Sequence, residues 1–275
     1  SYDGLRARGV KIVQAQAKGL DPVKRTVTAQ GPDGALVQCG YDALIVSPGV
    51  ELLYDGIEGY SEQIAETSIP SGWIAGAQTA LLRRQLLAMP DGGTVVIVAP
   101  PNPYRCPPGP YERSALVTEW LLEHKPKSRV VILDPKNDFV TDETMILGWN
   151  HLYGYAPPQP YAEKLDKFMV EPSKDCRIEW RREKDGGKPL SVDPSTLTVQ
   201  TPSGALKADV LNIVPPMRAA NIARDFGLTN ASGFCPIDRR TFTSSLVPDV
   251  YVLGDASIAD AMPKSGYSAN TQAKA

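Results

Sequence analysis

The chain has 275 residues, enough for one large domain or two intimate ones with a substantial core. Lys and Arg total 29 against 31 Asp and Glu, a formal charge of −2, which removes any bulk electrostatic case for nucleic acid or an anionic membrane. No apolar run is long enough for a membrane span. Ser1-Tyr2-Asp3 lacks the basic start and apolar stretch of an export signal, and the opening reads as a mid-domain strand, so the sequence is expected to be a piece of a longer protein.

The first block reads as a small β-meander. Val10 to Val13 is an apolar strand, Gly19-Leu20-Asp21-Pro22 a turn, Arg25 to Thr28 an alternating strand, and Gly31-Pro32-Asp33-Gly34 a turn before Ala35 to Gln38. Tyr41 to Val46 predicts a buried strand that stops at Ser47-Pro48-Gly49, where a glycine after proline permits a tight turn of the kind that meets ligands in α/β sheets. Residues 75–89 place Leu81, Leu82, Leu86 and Met89 at helical spacing. Thr94 to Ala99, Glu112 to Glu123 and Arg129 to Leu133, ending at Asp134, then predict a βαβ unit.

The loop inside that unit, APPNPYRCPPGPYER over 99–113, is unlike a dinucleotide loop. There GxGxxG lets backbone amides reach a pyrophosphate, whereas prolines with a single glycine, Gly109, remove donors and stiffen the path. NAD(P)H is therefore not expected to be held here in the usual way. The loop presents Cys106 between Arg105 and Pro107, and Arg105 would favour the reactive thiolate by charge attraction. An inert buried cysteine on a stiff loop is the other reading. Cys39, Cys176 and Cys235 stand far from it and from each other with no CxxC pair, and His124 and His151 are the only histidines, so no metal is expected.

Residues 155–176 read as a surface loop, opened by Pro157, Pro158 and Pro160, with a short helix from Ala162 to Met169 exposing Lys164 and Lys167. Trp73 and Trp149 read as packing near crossovers. Residues 249–270 carry the most information. Val250 to Leu253 is a buried strand broken at Gly254-Asp255, where Gly254 permits close ligand approach and the Asp255 carboxylate can accept from sugar or ribityl hydroxyls. A helix opening near Ser265 would aim free N–H groups at an electron-rich ring edge. An ordinary strand, turn and helix with an Asp cap stands as the alternative.

The strings YDALIVSPG, AMPDGGTVVI, RCPPGPYER, SGFCPID, VLGDA and MPKSGYSANTQAK together resemble the flavoprotein subunit of flavocytochrome c sulfide dehydrogenase, a family grouped with the sulfide:quinone oxidoreductases. The resemblance implies an α/β protein with two interleaved dinucleotide-binding, Rossmann-like domains of the FAD/NAD(P)-linked reductase type. Residues 1–50 and 215–275 would be parts of an incomplete FAD domain, and 70–205 an NAD-like domain inserted between them. It implies FAD contacts at Ser47, Pro48 and Gly49, a ribityl contact at Gly254 and Asp255, and an approach to the flavin pyrimidine by Pro263, Lys264, Ser265 and Gly266, where a cation or helix N-terminus would stabilise reduced flavin. Cys106 would be one half of a redox-active disulfide attacked by sulfide, with FAD taking the electrons and a c-type cytochrome subunit receiving them in the periplasm.

The glycine fingerprint of the first FAD unit would precede residue 1, and the second active-site cysteine would follow Lys274. Cys235 matches a separate position and reads as packing. A sulfide:quinone oxidoreductase, and a non-catalytic flavin scaffold that docks a cytochrome, are the alternatives. An NADH-dependent disulfide reductase is opposed by the proline-filled loop and the lack of CxxC. The isolated chain is expected to bind FAD weakly or not at all.

Overall fold

The computed structural model describes residues 2–275. In chain order it has α1 (Asp3–Arg6), β1 (Gln16–Asp21), β2 (Thr26–Gln30), β3 (Leu36–Gly40), β4 (Leu44–Val46) and β5 (Val50–Leu52). There follow α2 (Glu62–Thr67), α3 (Ala77–Ala88), β6 (Thr94–Val98), α4 (Gly109–His124), β7 (Arg129–Leu133), α5 (Asp142–Tyr153), α6 (Tyr161–Leu165) and β8 (Ile178–Arg181). The remainder comprises β9 (Ser191–Asp193), β10 (Thr198–Thr201), β11 (Gly204–Lys207), β12 (Val210–Ile213), β13 (Met217–Ala219), α7 (Asn221–Asp225), β14 (Cys235–Pro236), β15 (Val250–Val252), β16 (Ser257–Ile258) and α8 (Gly266–Gln272). Two compact units result: Leu52–Met217 is continuous, and the other joins residues up to Glu51 with Arg218–Ala275.

The continuous unit is built on a parallel sheet in the order β12-β6-β7-β8. Its central strands, TVVIV and RVVIL, are apolar almost throughout because both faces are covered. Val95, Ile97, Val130 and Val210 meet Leu82 and Met89 at α3 and Val117 and Leu121 on α4. Val96, Val98, Val131, Leu133, Leu211 and Ile213 face the other way, against Val192, Val199 and Leu206 of the antiparallel sheet β11-β10-β9. The period of two along each strand thus sorts side chains into a helical layer and a β layer. The β6-α4-β7 unit lies where the sequence places it, with β6 and β7 parallel from Thr94↔Arg129 to Val98↔Leu133.

The discontinuous unit holds the antiparallel meander β1-β2-β3 and a parallel pair in which β4 lies beside β15, Val46 opposite Val252. Its core gathers Val46, Phe234, Cys235, Val250 and Val252. Val10 to Val13 is not a strand: both valines are exposed, and their apolar character has no sheet partner. The first strand runs instead through Gly19-Leu20-Asp21, and the turn falls after it, where Asp21 Oδ1 accepts from Val23 N at 3.1 Å and Lys24 N at 2.9 Å.

The 155–176 segment is more than a surface excursion. Tyr155, Tyr161 and Leu165 are buried with Trp149, Trp180 and Ile146, and Asn150 Nδ2 ties Tyr155 O at 3.0 Å to Val170 O at 2.9 Å. Its helix is shorter than the sequence suggests, five residues followed by a 3₁₀ turn over Asp166–Phe168. Among the described residues no helix is long and apolar enough to cross a membrane.

Candidate functional site

In the discontinuous unit, β15 runs into Gly254, whose φ of +77° suits glycine, and a 3₁₀ turn over Gly254–Ala256. Gly49 at the end of the β4 turn is also left-handed, at φ +70°. These two turns and the start of α8 line a cleft of about 220 Å³ formed by Ser47, Gly49, Leu253, Gly254, Asp255, Ser265, Gly266 and Ala269. Six of the nine residues singled out in the sequence as flavin contacts are therefore brought together. Pro48 shapes the first turn without lining the cleft. The α8 helix starts at Gly266 with Ser265 as its N-cap, the Ser265 Oγ accepting from Ser268 N at 3.1 Å, and it is only seven residues long.

Lys264 does not present its ammonium to that cleft. Nζ donates to Asp255 O at 2.9 Å and Ser257 O at 2.6 Å and lies 4.2 Å from the Phe234 ring centroid. Burial pushes the amine down to about 8, with the Asp255 and Cys235 charges opposing. The residue therefore staples the Gly254 turn, and Pro263 lines the same inner side. Gln272, not singled out in the sequence, makes a matching contact: its Oε1 accepts from Gly254 N at 2.6 Å and so holds the turn onto α8. Its place in the string MPKSGYSANTQAK was its only signal in the sequence. Cys235 is fully buried in the core, and burial pushes its thiol up to about 11, as befits a packing residue.

The second cluster lies within the continuous unit. Cys106 is half-buried and left-handed at φ +59°, an unusual backbone state for a side-chain-bearing residue, one turn before α4. Cys106 O accepts from Gly109 N at 2.9 Å, which seats the turn on the first residue of the 16-residue helix. With Gly72, Trp73, Arg105, Gly109, Glu112, Arg113 and Leu116 it lines an open cleft of about 400 Å³. Trp73, read as core, is a wall of this cleft, whereas Trp149 is indeed core at 1% exposure.

Two guanidinium groups stand in this cluster rather than one. Arg105 donates to Trp73 O. Arg113 donates to Ser71 O at 2.8 Å, Gly72 O at 2.8 Å and Asn212 Oδ1 at 2.9 Å, and lies 5.0 Å from the Trp73 ring centroid. Burial pushes Arg113 below its ordinary value while Cys106 pulls it back, so the two groups are electrostatically coupled. An ordered cation and a helix N-terminus beside a sulfur both favour its thiolate. Arg113 could not be assigned from sequence, because its partners lie about 40 and 99 residues away.

Gly109 is fixed by the same crowding: a Cβ there would stand 2.6 Å from Trp73 Cη2 and 3.1 Å from Cys106 Sγ. Gly109→Ala is expected to lower stability by about 1–3 kcal/mol through overpacking, more than the helix propensity alanine adds. Urea unfolding followed by tryptophan fluorescence checks this, and an unchanged midpoint would mean that the ring moves aside freely.

Residues 79–215 match the family model described as the central part of the flavoprotein chain of sulfide dehydrogenase (flavocytochrome c). The mitochondrial sulfide:quinone oxidoreductase of Dictyostelium discoideum is 24% identical over 249 residues, covering 87% of this chain and 51% of that protein. By sequence, the chain is thus similar to a sulfide dehydrogenase flavoprotein at its centre and to a sulfide:quinone oxidoreductase along most of its length. The mouse mitochondrial sulfide:quinone oxidoreductase is 20% identical over 253 residues, 90% of this chain and 51% of that protein. The chain spans about half the length of the curated relatives it matches.

Among solved structures, the sulfide:quinone oxidoreductase of Aquifex aeolicus superposes with a TM-score of 0.61 at 19% identity, over 92% of this chain and 54% of that one. A NAD-dependent persulfide reductase from A. fulgidus gives 0.59 at 15% identity, over 94% and 42%. The fold of the chain is thus the α/β, Rossmann-like fold of the pyridine nucleotide-disulfide oxidoreductases.

Proposed function

We propose that the protein containing this chain is a FAD-dependent oxidoreductase that oxidises sulfide at a disulfide including Cys106 and passes electrons to a c-type cytochrome. The observation that carries this reading is the placement of Cys106, on a left-handed turn at the start of α4, in a cleft shared with Arg105 and Arg113. Hydrosulfide attack on such a disulfide forms one S–S bond and breaks another, leaving a persulfide on one sulfur and a thiolate on the other. A thiolate at Cys106 would be held by the Arg113 charge and the α4 N-terminus.

The cleft at Gly254 suits part of a flavin by its polar groups: hydroxyls at Ser47 and Ser265 and an accepting carboxylate at Asp255 match a ribityl chain, and backbone at Gly49, Gly254 and Gly266 permits close approach. Bound there, FAD would supply the two-electron acceptor. A nicotinamide dinucleotide finds no comparable site around the 99–108 loop. The acid at the end of β7, Asp134, whose place suits a ribose hydroxyl, is completely buried and spent on Tyr111, Trp180 and Lys136.

A sulfide:quinone oxidoreductase is the second reading, supported by similarity that runs over 87% of the chain rather than its centre alone. The cytochrome reading carries a periplasmic location with it. The test uses the protein that contains this chain, loaded with FAD, gel-filtered and mixed anaerobically with sulfide. The flavin spectrum is expected to bleach, and Cys106→Ser to slow bleaching by about 10³-fold. Bleaching at the native rate in that variant would overturn the role of Cys106. Reoxidation by a c-type cytochrome but not by a quinone analogue separates the first reading from the second.

A further inference from the structure

The loop that carries Cys106 has few backbone N–H groups with which to hold itself in place. Pro100, Pro101, Pro103, Pro107 and Pro108 lack N–H groups, so between β6 and α4 few backbone donors remain and side chains must pin the carbonyls. Two buried side chains do this, and the function proposed above leaves both unused. Lys136 Nζ donates to Pro100 O at 2.6 Å, at the start of the loop, and Tyr104 Oη donates to Pro107 O at 2.6 Å, on the residue directly after Cys106.

The two pins belong to one network. The Lys136 ammonium lies 5.1 Å from the Tyr104 ring centroid and 5.9 Å from that of Tyr111. It also donates to Asp134 Oδ1 at 2.7 Å, while Asp134 Oδ2 accepts from Tyr111 Oη at 2.6 Å and Trp180 Nε1 at 2.9 Å. Asp134 is 0% exposed, Tyr104 2% and Lys136 8%. Every charge in the network is therefore paired away from water, the condition under which polar groups fix a single geometry. Burial, with the charges of Asp134 and Cys106, pushes the Tyr104 hydroxyl well above its usual range and keeps it a donor to Pro107.

We infer that Tyr104 and Lys136 are positioning residues for Cys106, holding its left-handed turn so that the sulfur stays beside Gly109 and Trp73 and within reach of the Arg113 charge. The inference rests on the reading of Cys106 as the reactive sulfur. Left-handed backbone at a non-glycine residue persists only where its surroundings over-determine it, and here the two pins act beside the Gly109 N bond to Cys106 O and the Arg105 bond to Trp73 O. Without the Pro107 pin the turn relaxes, the sulfur leaves the α4 N-terminus, and its thiolate becomes less favoured.

The test is the rate of Cys106 alkylation by iodoacetamide against pH in the full chain, read by mass spectrometry on the Cys106 peptide, in a Cys39→Ser background that removes the exposed thiol. Tyr104→Phe is expected to raise the midpoint of the profile by about one pH unit and to slow reaction at pH 7 about tenfold. Ser114→Ala is the control. It also deletes a buried hydroxyl, one that donates to Pro110 O at 2.7 Å inside α4, and should leave the profile unchanged.

If Tyr104→Phe and Ser114→Ala lose similar stability and share the native profile, Tyr104 only packs and the inference is overturned while the reading of Cys106 stands. If Cys106 in the native chain reacts no faster than Cys176, the reading of Cys106 itself fails. Lys136→Arg keeps the charge but changes its reach. An intermediate midpoint in that variant supports the inference, a native one counts against Lys136, and this second variant decides the matter if Tyr104→Phe does not fold.

Discussion

Asp134→Asn is expected to destabilise the continuous unit by about 3–5 kcal/mol. The carboxylate accepts from four donors, Tyr111 Oη, Trp180 Nε1, Lys136 N and Lys136 Nζ, all on buried residues. A carboxamide keeps the shape but turns an N–H₂ toward one of those donors and leaves the Lys136 ammonium buried without its counter-charge. Burial already pushes that amine below its ordinary value, with Asp134 the main opposing charge. Thermal unfolding followed by tryptophan emission should fall by on the order of 10 °C.

Removing both charges separates net worth from the cost of an orphan. Asp134→Leu with Lys136→Met is expected to lie closer to the native stability than Asp134→Asn does, because a deleted buried pair costs less than a broken one. A loss below about 1 kcal/mol in Asp134→Asn would show that the site rehydrates, and the pins on the Cys106 loop would then be soft.

The second large effect is a pair of opposed pH dependences in the discontinuous unit. Lys264 titrates at about 8 when folded against an ordinary 10.5. Between those values the unfolded chain binds a proton that the folded chain does not, so this group makes stability rise with pH from about 8 to 10.5, its cost being fully present below 8. Cys235 titrates at about 11 against an ordinary 9, so the folded chain keeps a proton that the unfolded chain releases, and this group makes stability fall from pH 9 to 11. Each is worth about 3 kcal/mol.

The two windows overlap, and the native protein should show a nearly flat profile between pH 9 and 10.5. Cys235→Ala is expected to unmask the rise and Lys264→Met the fall, read as the slope of urea-derived stability against pH rather than its absolute value. Parallel slopes in the two variants would mean that neither group is as desolvated as its surroundings imply. Lys264→Met should also loosen the Gly254 turn, because it removes the donor to Asp255 O and Ser257 O.

Much of this was legible in the sequence where a local pattern has a single physical meaning. The runs TVVIV and RVVIL read as doubly covered strands because nothing polar interrupts them, and the prolines around Cys106 exclude a phosphate cradle by their missing N–H groups. Ser47, Gly49 and Gly254 announced turns and Ser265 the opening of a helix, and the cleft they share follows from β4 pairing with β15.

What sequence could not deliver is direction and distance. Lys264 looked like a cation for a ligand, yet its length lets it fold back onto two carbonyls. Arg113, Asn212 and Lys136 are ordinary residues until the sheet brings together segments 36 to 142 positions apart. Tyr104 lies two residues from Cys106, but nothing in that spacing reveals that its hydroxyl turns back to Pro107. Val10 and Val13 show the converse, apolar residues that become no strand because no partner strand accepts them.

The register of β4 on β15 also dictates an order of events during synthesis. Leu44 to Val46 leave the ribosome early, yet their partners Val250 to Val252 follow some 206 residues later. Residues 52–217 are complete before then and can close their own sheet, since all their core contacts lie within that interval. The early meander must wait in the nascent chain with the face that awaits Phe234 and Val250 uncovered, and the folded intervening unit acts as a compact clamp that shortens the loop still to be closed.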